Sequence, residues 1–180
     1  MKKGQEPIEW MVLETKDNQA FLLSKYCLDT RQFYPRHVAM YWGKSTLRQW
    51  MNNDFLNAAF TPEEQERIVT AAVSNHNPHG MNGGGDDTMD KIYLLSRVEA
   101  RTYFPEQKSR CAYPTEYAKA QGCFVSEKTG CCRWWLRTPG ARPMDTFGVR
   151  VDGRISAYGM QDVDWTTNTV RPVLWLRFGE

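Results

Sequence analysis

Apolar residues change their period along this chain, and the changes mark its elements. From Ile8 to Glu14 and from Gln19 to Ser24 they run as in strands, and Lys16-Asp17-Asn18 between them has turn composition. The chain is therefore predicted to open with a β-hairpin. From Ser45 the period lengthens: Leu47, Trp50, Met51 and Phe55 fall at helical spacing behind a serine that can cap the first turn. Thr61-Pro62-Glu63-Glu64 repeats the signal, with a capping Thr, a Pro at the first helical position and a Glu that completes a capping box. A short helix through Ile68 follows from it.

Asn75 to Asp90 holds His76, Pro78, His79, three consecutive glycines and three aspartates with almost no apolar residue. It reads as a mobile surface loop that buries nothing, so shortening Met81 to Asp87 is expected to leave thermal stability nearly unchanged. Ile92-Tyr93-Leu94-Leu95 predicts a short strand. Ser96-Arg97-Val98-Glu99 is a second capping box, opening a helix that ends before Pro105. Thr115 to Gln121, stopped by Gly122, predicts one or two further helical turns.

In the last third, Trp134-Trp135-Leu136, Phe147 to Val151, Ile155 to Tyr158 and Val170 to Leu176 are β-type segments joined by Gly, Pro and Asp turns. The fold class is α+β, with helices in the first two thirds and sheet at both ends. Setting Val151 opposite Ile155 pairs Val149 with Ala157 and gives one apolar face. The expected loop is then Asp152-Gly153-Arg154, and Arg150, Ser156 and Tyr158 form an outward row.

Composition narrows the function classes. The 180 residues, 41% hydrophobic and 13% aromatic, supply one core, so a single domain over 1–180 is expected. Lys and Arg number 23 against 21 Asp and Glu, interspersed, which argues against nucleic acid as a partner. No run approaches the roughly 18 to 20 apolar residues a bilayer span needs, so membrane insertion is not expected. Met1 to Pro7 leads straight into a strand pattern where a signal peptide would carry an apolar stretch. As written the chain reads as cytoplasmic, or as a module of a longer secreted or phage-borne protein. Cys27, Cys111, Cys123, Cys131 and Cys132 lack any C-x-x-C spacing and read as reduced thiols.

Six segments carry a resemblance: Glu9 to Glu14, Leu22 to Tyr26, Ser45 to Asn52, Asp90 to Ser96, Trp134-Trp135-Leu136-Arg137-Thr138-Pro139-Gly140, and Val170-Arg171-Pro172-Val173-Leu174-Trp175. Over nearly its whole length the chain resembles a bacterial domain-of-unknown-function family with a C-type-lectin-like fold, related to the variable proteins of diversity-generating retroelements. The resemblance implies that the terminal strands share one sheet and that a second, loop-rich sheet displays a binding surface. It implies a non-enzymatic domain without cofactor that recognises a protein or glycan ligand through side chains of region 141–169. That surface would draw on Arg142, Met144, Asp145, Arg150, Arg154, Ser156, Tyr158, Met160, Gln161, Trp165 and Asn168. Trp134, Trp135, Arg171 and Pro172 would be scaffold, and Val149, Val151, Ile155 and Val163 fit the same role.

Other chemistries find less support. The oxygen-ligand motifs of calcium-dependent sugar-binding lectins are missing, and Asp164-Trp165-Thr166-Thr167-Asn168 echoes them only loosely. His76, His79, Asp86, Asp87 and Asp90 are metal-ligand types without a fixed spacing, so no metal site is assigned. Formylglycine-generating enzymes share the implied fold and use a reactive cysteine pair, which draws notice to Cys123, Cys131 and Cys132. Adjacent Cys131 and Cys132, however, point to opposite sides of a strand. No G-x-S-x-G elbow occurs, and Gly83-Gly84-Gly85 lacks the Lys-[ST] of a phosphate loop. A structural or assembly module of a phage or surface protein, forming a homo-oligomer, is the alternative to recognition.

Overall fold

The computed structural model describes residues 7–77, 83–156 and 158–179. Strands β1 (Trp10–Lys16) and β2 (Gln19–Ser24) form the expected hairpin. Its turn residues Asp17 and Asn18 have φ of 49° and 58°, the left-handed pair a two-residue hairpin turn needs and one that Asp and Asn tolerate. β3 (Asp29–Thr30) follows, then α1 (Thr46–Trp50), a π-helical turn Met51–Phe55, and α2 (Leu56–Ala59). Ser45 caps α1 through its hydroxyl on the Arg48 N–H, and Leu47 and Met51 are buried as the helical spacing requires. Asn52, in the π turn, accepts the Lys91 and Ile92 N–H groups and donates to the Ile92 carbonyl, pinning that segment to the helix.

Both predicted capping boxes are formed, at α3 (Pro62–Arg67) and later at α4 (Arg97–Tyr103). Between them lie β4 (Ala71–Val73) and β5 (Thr88–Asp90), which pair antiparallel. α5 (Glu116–Ala120) is stopped by Gly122 at φ +90°. β6 (Trp134–Pro139), β7 (Asp145–Val149), β8 (Gln161–Asp162), β9 (Thr169–Val170) and β10 (Val173–Arg177) complete the chain.

Two larger sheets organise this α+β fold. One has the order β1-β2-β10, all antiparallel, so the two ends of the chain meet on either side of β2. The other has the order β3-β9-β6-β7-β8. Every residue of β6 is buried. Arg137 on β6 grips Glu99 at the start of α4 and donates to the Leu94 and Ser74 carbonyls, joining sheet, helix and β4 flank. The Arg171-Pro172 pair interrupts the predicted Val170 to Leu176 run. Arg171 donates to the Ser24 and Lys25 carbonyls, and Pro172, lacking an N–H, cannot donate to a ladder.

Three expectations need correction. The polar segment 75–90 is built into the fold over its described residues. Asn75 donates from its backbone to Asp87 and from its side chain to the Asp86 carbonyl. The fully buried Asp90 carboxylate accepts from Trp42 Nε1 at 2.9 Å, Thr88 Oγ1 at 2.7 Å and Arg48 Nε at 2.6 Å. Polarity misled because these side chains satisfy one another and the backbone, which apolar counting does not register. Shortening Met81 to Asp87 is therefore expected to lower thermal stability through the lost Asp86 and Asp87 contacts to Asn75; Met81 and Asn82 lie outside the described residues.

Ile92 to Leu95 is buried but is not a strand; Tyr93 alone bridges Val173. The 149–155 hairpin adopts another register: Val149 faces Ile155, and the Arg150 N–H donates to the Arg154 carbonyl. The loop is Val151-Asp152-Gly153, closed by Gly153 N–H to the Arg150 carbonyl, with Gly153 third at φ +80°. That is the position where a bulged three-residue turn needs its left-handed residue. Gly153 is also pressed on the chain beneath it, since a Cβ there would lie 1.9 Å from the Gln107 carbonyl oxygen.

Asp90→Ala would strand the Trp42 and Thr88 donors and the Arg48 cation, and should lower the unfolding free energy by about 3 kcal/mol, with Asp90→Asn losing less; equilibrium urea denaturation measures both. Glu99 supplies a pH dependence. Burial alone would raise its carboxyl, but the Arg137 charge and its hydrogen bonds outweigh burial and hold it below the usual range. A lowered folded value means stability that is complete above the unfolded pKa and lost as pH falls through the folded one. Denaturation midpoints should therefore drop below about pH 4, and Glu99→Gln should be less stable than the wild type at neutral pH yet show a smaller acid-dependent loss.

Candidate functional site

Region 141–169 begins in the turn between β6 and β7 and ends at β9, so its loops are held at both ends by strands of the buried sheet. Of the side chains expected on its surface, Arg142, Arg150, Arg154, Tyr158 and Met160 are exposed, the last two at 66% and 58%. Met144, Ser156 and Trp165 are half-buried. Ser156 is occupied locally, its hydroxyl accepting the Tyr158 and Gly159 N–H groups in a turn that lifts Tyr158 outward. Arg150 faces Arg154 across the hairpin, which replaces the expected row of Arg150, Ser156 and Tyr158.

Asp145, Gln161 and Asn168 are buried and belong to the frame, contrary to the surface role expected of them. Asp145 takes both prongs of the Arg142 guanidinium, Nε at 2.7 Å and Nη2 at 2.8 Å. The bidentate bond and its charge push the Arg142 pKa up. Arg142 also reaches Asp162 at 2.7 Å, and the other Asp162 oxygen accepts Trp165 Nε1 at 2.9 Å. A relay Asp145–Arg142–Asp162–Trp165 thus fixes the Trp165 ring. Gln161 accepts from Asn168 Nδ2 at 2.7 Å and lies against Gly148, where a Cβ would meet Gln161 Oε1 at 1.9 Å. A strand position with a polar side chain and an outward reading in one dimension is turned inward by this pairing.

Beside the relay lies an open depression of about 450 Å³ lined by His37, Arg133, Asp162, Asp164, Trp165, Thr166 and Thr167. Trp165 is its one lining residue among the expected surface set. His37 Nδ1 stands 3.3 Å from Asp164 Oδ1. The Arg133 guanidinium lies 4.7 Å from the Phe124 ring centroid and 5.4 Å from that of Trp165. Burial lowers its pKa, and the neighbouring Arg150 charge lowers it further. Among the described residues neither Arg133 nor Arg150 has a carboxylate partner. His37 is remote in sequence and carried no pattern. Arg133 precedes the Trp134-Trp135 motif, and an arginine next to a buried strand start was the signal available for it.

Cys131 Sγ points to the Thr129 carbonyl, whereas Cys132 Sγ points to Ala112 and Thr169, so the two thiols diverge. Burial pushes the Cys123 thiol up, and a hydrogen bond with Cys27 together with burial pushes Cys132 up. Among the described residues no three His, Cys, Asp or Glu side chains gather where a metal ion could be held. Asp90 is committed to Trp42 and Arg48, and His79 lies outside the described residues.

Arg142→Ala would leave the Asp145 carboxylate buried without its cation and release Trp165 from the relay. The expected outcome is a loss of stability, read by chemical denaturation, with Arg142→Lys retaining part of it because a single ammonium cannot reproduce the two-pronged contact.

A family model described as a domain of unknown function (DUF6273) matches residues 17–178. No curated protein and no solved structure matches the chain.

Proposed function

The chain belongs to the DUF6273 family, and from that premise we propose that it is a non-enzymatic recognition domain on a C-type-lectin-like scaffold. The observation that carries the reading is the contrast within region 141–169: buried Asp145, Gln161 and Asn168 lock the frame, while Arg150, Arg154, Tyr158 and Met160 project from it. Exposed aromatic, Met and Arg side chains on rigidly anchored loops suit ligand contact, because they offer large or adaptable contact area without reordering the chain. The joining of the chain ends in the β1-β2-β10 sheet, with a second sheet behind the loops, is the arrangement such a scaffold requires. The ligand in this reading is a protein or a glycan. In a retroelement-diversified variable protein, the projecting positions are the ones that could vary without disturbing the frame.

An assembly role is the second reading, supported by β1, an edge strand that exposes Met11 and Val12, the latter at 62%. It entails a homo-oligomer and no reproducible ligand.

Glycan and surface-protein arrays probed with the purified domain, in calcium and in chelator, separate the readings. Saturable binding that ignores chelator and falls roughly tenfold or more in the Arg150→Ala/Tyr158→Ala/Trp165→Ala variant is expected. Absence of binding under every condition, with a dimer or larger species by light scattering, would replace recognition by assembly.

A further inference from the structure

A second cavity, of about 290 Å³, lies where the start of α4 meets β6 and the β4 flank, and Ser74, His76, Ser96, Arg97, Arg137 and Thr138 are among its lining. The one carboxylate among its described lining residues is Glu99. That carboxylate is engaged: Arg137 takes both of its oxygens, and the Ser96 N–H adds a bond at 2.7 Å. Arg97 is left over. Its half-buried guanidinium lies 4.5 Å from the Phe147 ring centroid and makes no ion pair or carbonyl bond among the described residues. Arg101 follows one turn later on the same helix face, adding a cation and no counter-charge. The cavity thus sets Arg97 and Arg137 against a single acid, whereas the depression beside Trp165 sets Asp162 and Asp164 against Arg133 and His37. Arg137, which is 5% exposed, and Arg97 also each have an Nε–H buried without a partner. Desolvated cations with donors unmet by their own protein gain free energy from an anion brought beside them.

The donors of the lining select the anion. The Arg97 fork can hold two oxygens side by side. The Ser96 and Thr138 hydroxyls accept the Glu99 and Arg97 N–H groups at 3.1 and 2.9 Å and donate to nothing among the described residues, so their protons are available to a ligand. These bonds also occupy the first N–H groups of α4, which leaves anion contact to side chains. A fork and two hydroxyls are more donors than the two oxygens of one carboxylate take up, and a phosphate offers a third terminal oxygen for them. The volume stands at the small end of ligand cavities, which fits a phosphate with few further atoms. We propose that Arg97, with the Ser96 and Thr138 hydroxyls, binds a phosphate group, as the free ion or on a small phosphomonoester. Phe147 braces the Arg97 guanidinium, and Arg137, tethered by Glu99, acts through its charge. The site goes beyond the recognition reading, since no described lining residue comes from region 141–169.

The test is calorimetric titration of the intact chain at low salt with inorganic phosphate, glycerol phosphate and acetate, for the wild type, Arg97→Met, Arg97→Lys and Arg133→Met. Circular dichroism and thermal melts establish that each variant is folded. Phosphate or its glycerol ester should bind at one site per chain, weaken by roughly tenfold or more in Arg97→Met and by less in Arg97→Lys, and keep its affinity in Arg133→Met, which leaves the fork intact. Tighter binding of inorganic phosphate identifies the free ion as the ligand, and tighter binding of the ester identifies a small phosphorylated compound. Should Arg97→Met fail to fold, the Arg97 Nε–H resonance of the wild type, assigned through Arg97→Lys, carries the test and should shift saturably with phosphate. No saturable binding of either phosphate compound, acetate bound as tightly, an equal loss in Arg133→Met, an unmoved Arg97 resonance, or unaltered binding in a folded Arg97→Met would each overturn the proposal.

Discussion

Two adjacent tryptophans on one strand point to opposite faces, and both can be buried only if the strand is covered on both sides. Trp134 and Trp135 impose that condition on this protein, and both are fully inaccessible. On one face Trp135 packs edge-on against Phe33, which in turn meets Trp42. On the other, Trp134 lies under the Arg171 guanidinium, 5.0 Å from its ring. Each indole N–H also needs an acceptor, and each has a backbone carbonyl: Arg110 for Trp134 and Arg31 for Trp135. The chain segments before and after β6 are thereby fixed in place by two rings.

Burying a strand so thoroughly leaves loop carbonyls with no water, and this protein answers with arginines. Arg110, Arg137 and Arg171 each spread donors over two or more carbonyls, a task the planar five-donor guanidinium performs better than an ammonium could. Arg142 does the corresponding work for a buried carboxylate. Arg97 and Arg133 are held differently, their guanidinium groups lying over aromatic rings, Phe147 for the one and Phe124 and Trp165 for the other. Scaffold arginines and surface arginines thus differ by what they bond, not by residue type, and the loops between β6 and β9 are rigid at their bases and open at their tips.

Much of the fold was legible because its signals are local. A Ser or Thr followed three residues later by Glu closes a box within one helical turn, so Thr61 and Ser96 behave as read. Asp17-Asn18 dictates a tight hairpin through its own backbone preferences. The misread elements are those decided elsewhere. The observed hairpin register buries Val149 and leaves Val151 in the loop, and it is selected by Gly153, whose missing side chain allows contact with Gln107 and whose positive φ suits the third loop position. Segment 75–90 looked unfoldable by apolar count, yet Asp90 gathers Trp42, Thr88 and Arg48 from distant positions.

By itself the sequence determined the α+β class, the hairpin at the start and the capped helices, because each is governed by dihedral preference, capping or period over a few residues. Only the tertiary structure decided which polar residues of region 141–169 face water. Alternation along a strand assigns a side but does not say whether that side is covered, and Asp145 is covered by Arg142 while Gln161 and Asn168 cover one another. It alone also brought His37 and Arg133 to the edge of Trp165, since burial and charge balance are sums over the whole folded surroundings and no single stretch of chain contains them.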